Sequence, residues 1–245
     1  MSTIAIVIPC YNEYKRLNLK AFEEFLGHST VHFVFVDDGS TDDTAQLIAS
    51  FQRDRADRAS LLPLKPNRGK AEAVRLGMEF ALHRGFDFVG FWDADLATPL
   101  STISKFMEVF SKNQQVEMVF GSRVKLLGHD IRRRPLRHYL GRVFATTVSV
   151  MLGLPVYDTQ CGAKIFRIGP DTRELTQEAF KSRWIFDVEL IQRFINKVGS
   201  REDAAARIYE SPLDAWEDVG GSKVKPTDFL VAFWDIVRIY WAYRR

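Results

Sequence analysis

Asp93-Ala94-Asp95 closes the apolar run Phe88-Val89-Gly90-Phe91-Trp92, which sets two carboxylates beside a turn with little sequence nearby to neutralise them. Hard divalent cations such as Mg2+ and Mn2+ take carboxylate oxygens and substrate phosphates together and keep several waters. One or two protein ligands therefore suffice for diphosphate chemistry. That makes Asp93 and Asp95 candidate metal ligands; an isolated match of this kind reads equally as solvated turn or cap residues. Three more polar clusters accompany them: Tyr11-Asn12-Glu13, Asp37-Asp38-Gly39-Ser40 and Asn67-Arg68-Gly69-Lys70. An acid at 37 or 38 can hold a base or ribose by hydrogen bonds, or serve as turn and helix cap. The third cluster lacks the G-x-x-x-x-G-K-[ST] spacing of a P-loop. Lys70, at a helix start, can still face a phosphate.

The elements that must position these clusters follow from hydrophobic pattern. Short β-branched or aromatic runs at 4–8, 31–36, 61–64, 88–92 and 118–120 alternate with helix-length segments such as 44–53, 71–83 and 103–112. Continuous apolar strands, each followed by a helix, predict an α/β fold with a mostly parallel sheet flanked by helices on both faces. Each polar cluster directly follows a strand, at the carboxyl edge where such sheets bind ligands. Beyond residue 125 the pattern changes to a basic segment, an apolar helix to about 152 and a strand near 163–166. Helices are expected near 171–179, 186–197 and after Pro226.

With 245 residues, 46% of them hydrophobic and 27% charged, the chain suits one large domain, taken as 1–225, with 226–245 as a C-terminal amphipathic helix docked on it or on a membrane surface. Cys10 and Cys161 are too few for a disulfide framework, lack zinc-site spacing, and suit a reducing cytosol. The N-terminus opens directly into a strand-like run with no basic leader, so a cytoplasmic location is expected. The longest apolar stretches are too short to span a bilayer or are interrupted by charge, which leaves peripheral membrane contact. A net charge of +3 gives no reason to expect nucleic acid.

Taken together, Pro9-Cys10-Tyr11-Asn12-Glu13, Val36-Asp37-Asp38-Gly39-Ser40-Thr41-Asp42, Asn67-Arg68-Gly69-Lys70, Asp93-Ala94-Asp95 and Gly121-Ser122-Arg123 resemble family 2 glycosyltransferases of the GT-A fold. Asp158-Thr159-Gln160-Cys161-Gly162-Ala163-Lys164, Trp184-Ile185-Phe186-Asp187-Val188-Glu189 and Gly221-Ser222-Lys223 look like the branch that glucosylates dolichyl or other polyprenyl phosphates. The resemblance implies that Pro9, Tyr11, Glu13 and Asp38 or Asp37 hold the nucleoside, with Lys70 also on the donor side, and that Asp93 and Asp95 hold Mg2+ or Mn2+ and the diphosphate. It also implies that Arg123 faces phosphate and places Asp158 among the catalytic residues. The mannosyl branch often carries an amide-bearing residue two positions after the second aspartate, where this chain has Ala97. That leans towards UDP-glucose as donor, with GDP-mannose the alternative.

Arg132, Arg133, Arg134, Arg137 and Arg142 crowd one segment. A polyprenyl phosphate approaching a nucleotide diphosphate brings roughly two negative charges towards two more, costing on the order of 3 kcal/mol at about 5 Å in water and about fourfold more at an effective dielectric near 20. Arg133 is expected to offset this in catalysis. Arg132, Arg134, Arg137 and Lys223 are expected to face acceptor phosphate or anionic headgroups. A phosphate acceptor is already largely ionised at neutral pH, whereas a hydroxyl needs a base, for which Asp187 and Glu189 are candidates. In the C-terminal helix, Asp228, Asp235, Arg238 and Ala242 form a narrow stripe amid a wide apolar surface, which must be covered by its own domain, by a partner or by a membrane interface.

The expected activity is a metal-dependent, inverting transfer of a sugar, with glucose favoured, from a nucleotide sugar to polyprenyl or dolichyl phosphate on the cytoplasmic face of a membrane. Two alternatives stay open: transfer to a hydroxyl of a glycan or other acceptor, and a non-catalytic sugar-nucleotide or membrane-binding module.

Overall fold

The computed structural model describes residues 2–132, 135–219 and 226–244, with side chains left aside at 135–138 and 226–230. A seven-stranded sheet runs in the order β3-β2-β1-β4-β7-β5-β8, formed by β1 (Ile4–Cys10), β2 (Val31–Asp38), β3 (Ala59–Leu64), β4 (Phe88–Trp92), β5 (Met118–Ser122), β7 (Ala163–Arg167) and β8 (Ile208–Pro212). All neighbours pair in parallel except β7, which runs antiparallel between β4 and β5. A second, two-stranded ribbon pairs β6 (Asp130–Arg132) with β9 (Ala215–Glu217) in parallel.

The central strands read as unbroken apolar runs because both their faces are covered. Alternate residues of β1 divide between two cores: Ala5 and Val7 enter one, Ile4, Ile6 and Ile8 the other. The first core packs under α3 (Lys70–Leu82), α5 (Pro135–Leu152), α7 (Phe186–Val198) and α9 (Pro226–Tyr243). The second lies under α1 (Leu19–Leu26), α2 (Thr44–Arg53) and α4 (Thr102–Lys112). Two shorter helices, α6 (Pro170–Leu175) and α8 (Arg201–Arg207), flank α7. Helices thus cover both faces, and the carboxyl edge is left open to form a site.

The C-terminal helix divides that narrow stripe. Ala232, Asp235, Ile236 and Ile239 are buried at i, i+3, i+4, i+7 spacing, so Asp235 lies on the docked face and not on a polar outer one. The outer face instead carries Val231, Trp234, Val237 and Trp241, with Trp234 71% and Trp241 65% exposed. Phe233 meets Phe144 of α5 edge to face at 6.1 Å, and α5 exposes Tyr139, Leu140, Val143 and Val150. Among the described residues, no helix is long and apolar enough to cross a membrane.

Candidate active site

A cavity of about 590 Å³ opens at the carboxyl ends of β1, β2, β4 and β5, within the range of small-ligand sites. The loops after β1 and β2 are tied together at its rim. Asn12, at φ 51°, accepts Thr41 N at 2.8 Å through its side-chain oxygen and donates its own N–H to Ser40 Oγ at 3.0 Å. Asn tolerates this left-handed backbone better than most residues. Pro9, Tyr11, Glu13 and Asp38 line the cavity, and Asp37 is not among its lining residues. Of the two alternative aspartates, Asp38 is therefore the one on the wall. Its two oxygens accept the backbone N–H groups of Arg68 and Gly69 at 2.7 and 2.8 Å, which folds the 67–70 loop against β2. Burial raises the Asp38 carboxyl above its ordinary range despite those two amides. Glu13 is held by Arg16 through contacts of 2.9 and 2.6 Å.

Asp93 and Asp95 both line the cavity at the end of β4. Leu96 follows at φ 54°, a costly conformation for a non-glycine residue, and Ala97 N donates back to Asp95 Oδ1 at 3.1 Å. Burial, then the charge of Asp93, raise the Asp95 carboxyl. Two like charges on one wall are what a divalent cation would relieve. Among the described residues, no group of three or more His, Cys, Asp or Glu is placed to hold a metal. A cation here would take Asp93 and Asp95 and complete its shell with water and donor oxygens, and the hard carboxylate set fits Mg2+ or Mn2+.

Lys70, expected to face phosphate, donates to Asp93 Oδ1 at 2.5 Å. Burial would lower its ammonium pKa, but Asp93, Asp187 and Asp95 outweigh that and raise it. Arg123 is likewise engaged: its Nε and a terminal nitrogen grip Asp158 at 2.6 and 2.8 Å, and Asp158 also accepts Arg123 N and Gln160 N. Both side chains line the cavity as one buried ion pair. Asp158 is the carboxylate that aims Arg123. Asp187, at the start of α7, accepts from the fully buried Lys164 Nζ at 2.5 Å, and burial raises its pKa. Lys164 also donates to the carbonyls of Thr159 and Cys161, locking the 158–162 turn. Glu189 lies buried against Arg193 and is not among the cavity's lining residues. Cys161 is buried and its thiol is pushed up to about 11, which leaves it inert.

Gly162 has a specific reason to be glycine. A Cβ there would lie 1.9 Å from Asp93 Oδ2 and 2.2 Å from its Cγ. Gly162→Ala is expected to displace that carboxylate and raise the Kd for Mn2+ by about tenfold, as displaced support of a ligand does. A metal titration of the variant checks this; an unchanged midpoint would contradict it.

Of the basic cluster, Arg132 is exposed, pairs with Asp130 and Glu217 at 2.9 and 3.9 Å, and is not among the lining residues. Arg133, Arg134 and Lys223 lie outside the described residues, as does the side chain of Arg137. Arg142, one helical turn or more further on, does line the cavity, stacked 3.6 Å over Tyr157 and donating to its carbonyl at 2.9 Å. Arg183, Trp184 and Trp216 complete the wall. The sequence signals were the place of Trp184 in the Trp184–Glu189 motif and of Arg142 in the arginine cluster; none marked Arg183 or Trp216. Thr159 Oγ1 and Gln160 Nε2 are buried on this wall without a hydrogen-bond partner among the described residues, and a polar ligand could satisfy them.

The family model described as glycosyl transferase family 2 matches residues 5–173. Similar curated proteins include the dolichyl-phosphate beta-glucosyltransferase of Dictyostelium discoideum, 30% identical over 98% of this chain and 74% of that one. The human dolichyl-phosphate beta-glucosyltransferase is 30% identical over 91% of this chain and 70% of its own. Among solved structures, glucosyl-3-phosphoglycerate synthase from Mycobacterium tuberculosis, in complex with Mn2+, UDP and glucosyl-3-phosphoglycerate, superposes with a TM-score of 0.65 at 20% identity, covering 99% of this chain and 80% of that one. The fold, a mostly parallel sheet flanked by helices, is the GT-A fold.

Proposed function

This chain belongs to glycosyl transferase family 2 and is a glycosyltransferase, and on that footing we propose that it transfers glucose from UDP-glucose to a polyprenyl phosphate of the dolichyl type. The observation that carries the reading is the make-up of the cavity at the carboxyl edge. Asp38 and the 67–70 loop wall it on the β2 side, Asp93 and Asp95 at the end of β4, and Arg123 and Arg142 also line it. Phe144, Ala145, Ala232 and Ile185 then add an apolar wall beneath the outward-facing side chains of α5 and α9. A lipid phosphate needs this combination of cations and apolar cover.

Pro9, Tyr11, Glu13 and Asp38 would hold the nucleoside, and Asp93 and Asp95 a divalent cation. When bound, that cation would neutralise the departing diphosphate. Lys70 and Arg123, each paired with a carboxylate, offer N–H donors along the same wall, and the protein's main work is to align acceptor phosphate and donor for direct displacement with inversion. Asp187 lines the cavity with one oxygen bonded to buried Lys164 and is the base a hydroxyl acceptor would use; a lipid phosphate, largely ionised at neutral pH, needs none. Nucleoside diphosphate release tests the scheme. It should require polyprenyl phosphate, stop with EDTA and return with Mn2+; release indifferent to the lipid phosphate would contradict it.

The enzyme would reach its acceptor by peripheral contact at the cytoplasmic face, through the outer side chains of α9 and α5. Trp and Tyr suit the headgroup boundary, and Arg244, stacked on Tyr240 and Trp241, suits anionic lipid. Replacing Trp234 and Trp241 together by Ser should leave the docked face of α9 untouched and lower co-sedimentation with anionic liposomes by about threefold or more. Wild-type protein that stays in the supernatant at low salt would refute the attachment.

A further inference from the structure

The segment between α6 and α7 presents Arg183 and Trp184 to the cavity, yet both side chains are exposed and have little packing of their own. Their placement comes from the residue before them. Ser182 is 1% exposed, accepts the N–H groups of Trp184 and Ile185 at 3.1 and 2.9 Å, and donates its own hydroxyl to Asp235 Oδ2 at 2.6 Å. Asp235 lies on the docked face of α9, and Arg238, one turn on, donates to the Lys181 carbonyl at 3.1 Å. From the other side, Glu189 accepts Lys181 N at 2.8 Å. The 181–185 segment is thereby pinned to α9 and α7.

What it holds matters to the donor side. The Arg183 guanidinium crosses to the 67–70 loop, 3.4 Å from Asn67 Oδ1, and its Nε lies 2.8 Å from where a Cβ on Gly69 would stand. Gly69 has φ 91°, and its N–H is one of the two that Asp38 accepts. A hydrogen-bonded path therefore runs from α9 to the proposed nucleoside wall. Ser182 and Asp235 both lie beyond the residues matched by the family model.

We propose that Asp235, acting through Ser182, is a positioning residue for the transfer reaction, fixing Arg183 and Trp184 across the cavity from the 67–70 loop. The proposal rests on the glycosyl-transfer reading above. Ser182→Ala and Asp235→Ala should each lower kcat, measured per folded enzyme well below the melting transition, by about tenfold, since misplaced contact groups cost rate at saturation. The double variant should be no worse than either single one, the non-additivity of residues acting as a unit. Asp235→Asn, whose amide oxygen still accepts the Ser182 hydroxyl, should keep at least about half of wild-type kcat. A purely structural pair would lower the melting temperature and leave kcat and both KM values of the folded enzyme unchanged.

Ser182→Ala removes one oxygen, so it carries the same test should Asp235→Ala not fold. Folded Ala variants with kcat and both KM values within about twofold of wild type would overturn the proposal, as would equal losses in Asp235→Asn and Asp235→Ala. A substrate-free measurement separates this from the transfer reading. Amide hydrogen exchange at 184 and 185 should quicken in Ser182→Ala, and unchanged exchange there would overturn the clamp whatever the acceptor proves to be. A wild-type enzyme that glucosylates no lipid phosphate would count against the transfer reading, not against the clamp.

Discussion

Asp95→Asn is expected to remove turnover, lowering kcat by about a hundredfold or more, while the fold stays intact. The carboxylate stands on the cavity wall at the end of β4, and its pKa is raised by burial and by Asp93 beside it. That arrangement makes sense when a cation is shared between the two groups. A neutral amide keeps the shape and can still accept Ala97 N, so local structure survives. What it lacks is the charge that holds a hard cation against a diphosphate. Circular dichroism and thermal melts should match wild type within experimental scatter. Near wild-type kcat at saturating Mn2+ would dismiss the metal assignment.

The largest expected loss of stability is at Arg123→Ala. The guanidinium makes a two-pronged contact with Asp158, with 13% and 9% of the two side chains exposed, and Asp158 raises its pKa despite burial. Cutting one partner removes this charge-assisted contact from a buried carboxylate, a change that costs about 1.5–3 kcal/mol. For a chain of this size that is a fall of roughly 3–12 °C in melting temperature. Asp158 also sits under a second layer, because Glu210 accepts the N–H groups of Tyr157 and Asp158 at 2.8 and 2.6 Å. Displacing it should therefore loosen the whole 157–162 turn, including Gly162 against Asp93. Adding Asp158→Ala to Arg123→Ala should cost less than the sum of the two single losses, since both report on one contact. Melting of Arg123→Ala within about 2 °C of wild type would show the pair to be marginal.

The central strands were legible in the sequence because they are buried on both faces. Phe88–Trp92 stands out as an apolar run, and the polar residues after each strand could only lie on the carboxyl edge. The elements that escaped notice are those whose stability comes from partners distant in sequence. β8, Ile-Tyr-Glu-Ser-Pro, has no apolar run and is set by parallel pairing with β5; β6 and β9 are three residues each and define one another. In the site, residue types pointed to Asp93, Asp95 and Asp37 or Asp38, and the family resemblance to Glu13; all but Asp37 bound the cavity. Spacing could not show that Lys70 and Arg123 are engaged by carboxylates, or that Arg142 and not Arg132 lines the wall, because those facts depend on how α5 and β6 pack. Asp235 is the plainest case. On a helix with apolar residues on most sides, periodicity cannot say which side meets the core, and the acid on its narrow polar stripe is buried against Ser182.

The central claim is glucose transfer from UDP-glucose to a lipid phosphate, and partition of radiolabelled sugar tests it most directly. Purified enzyme with Mn2+ would be given UDP-glucose or GDP-mannose, each with and without polyprenyl phosphate or a soluble glycan, and the products extracted into organic solvent. Label should enter the organic phase only when UDP-glucose and polyprenyl phosphate are both present. Label that stays in water with the lipid phosphate and appears on the glycan, or that enters the lipid equally well from GDP-mannose, would contradict the claim.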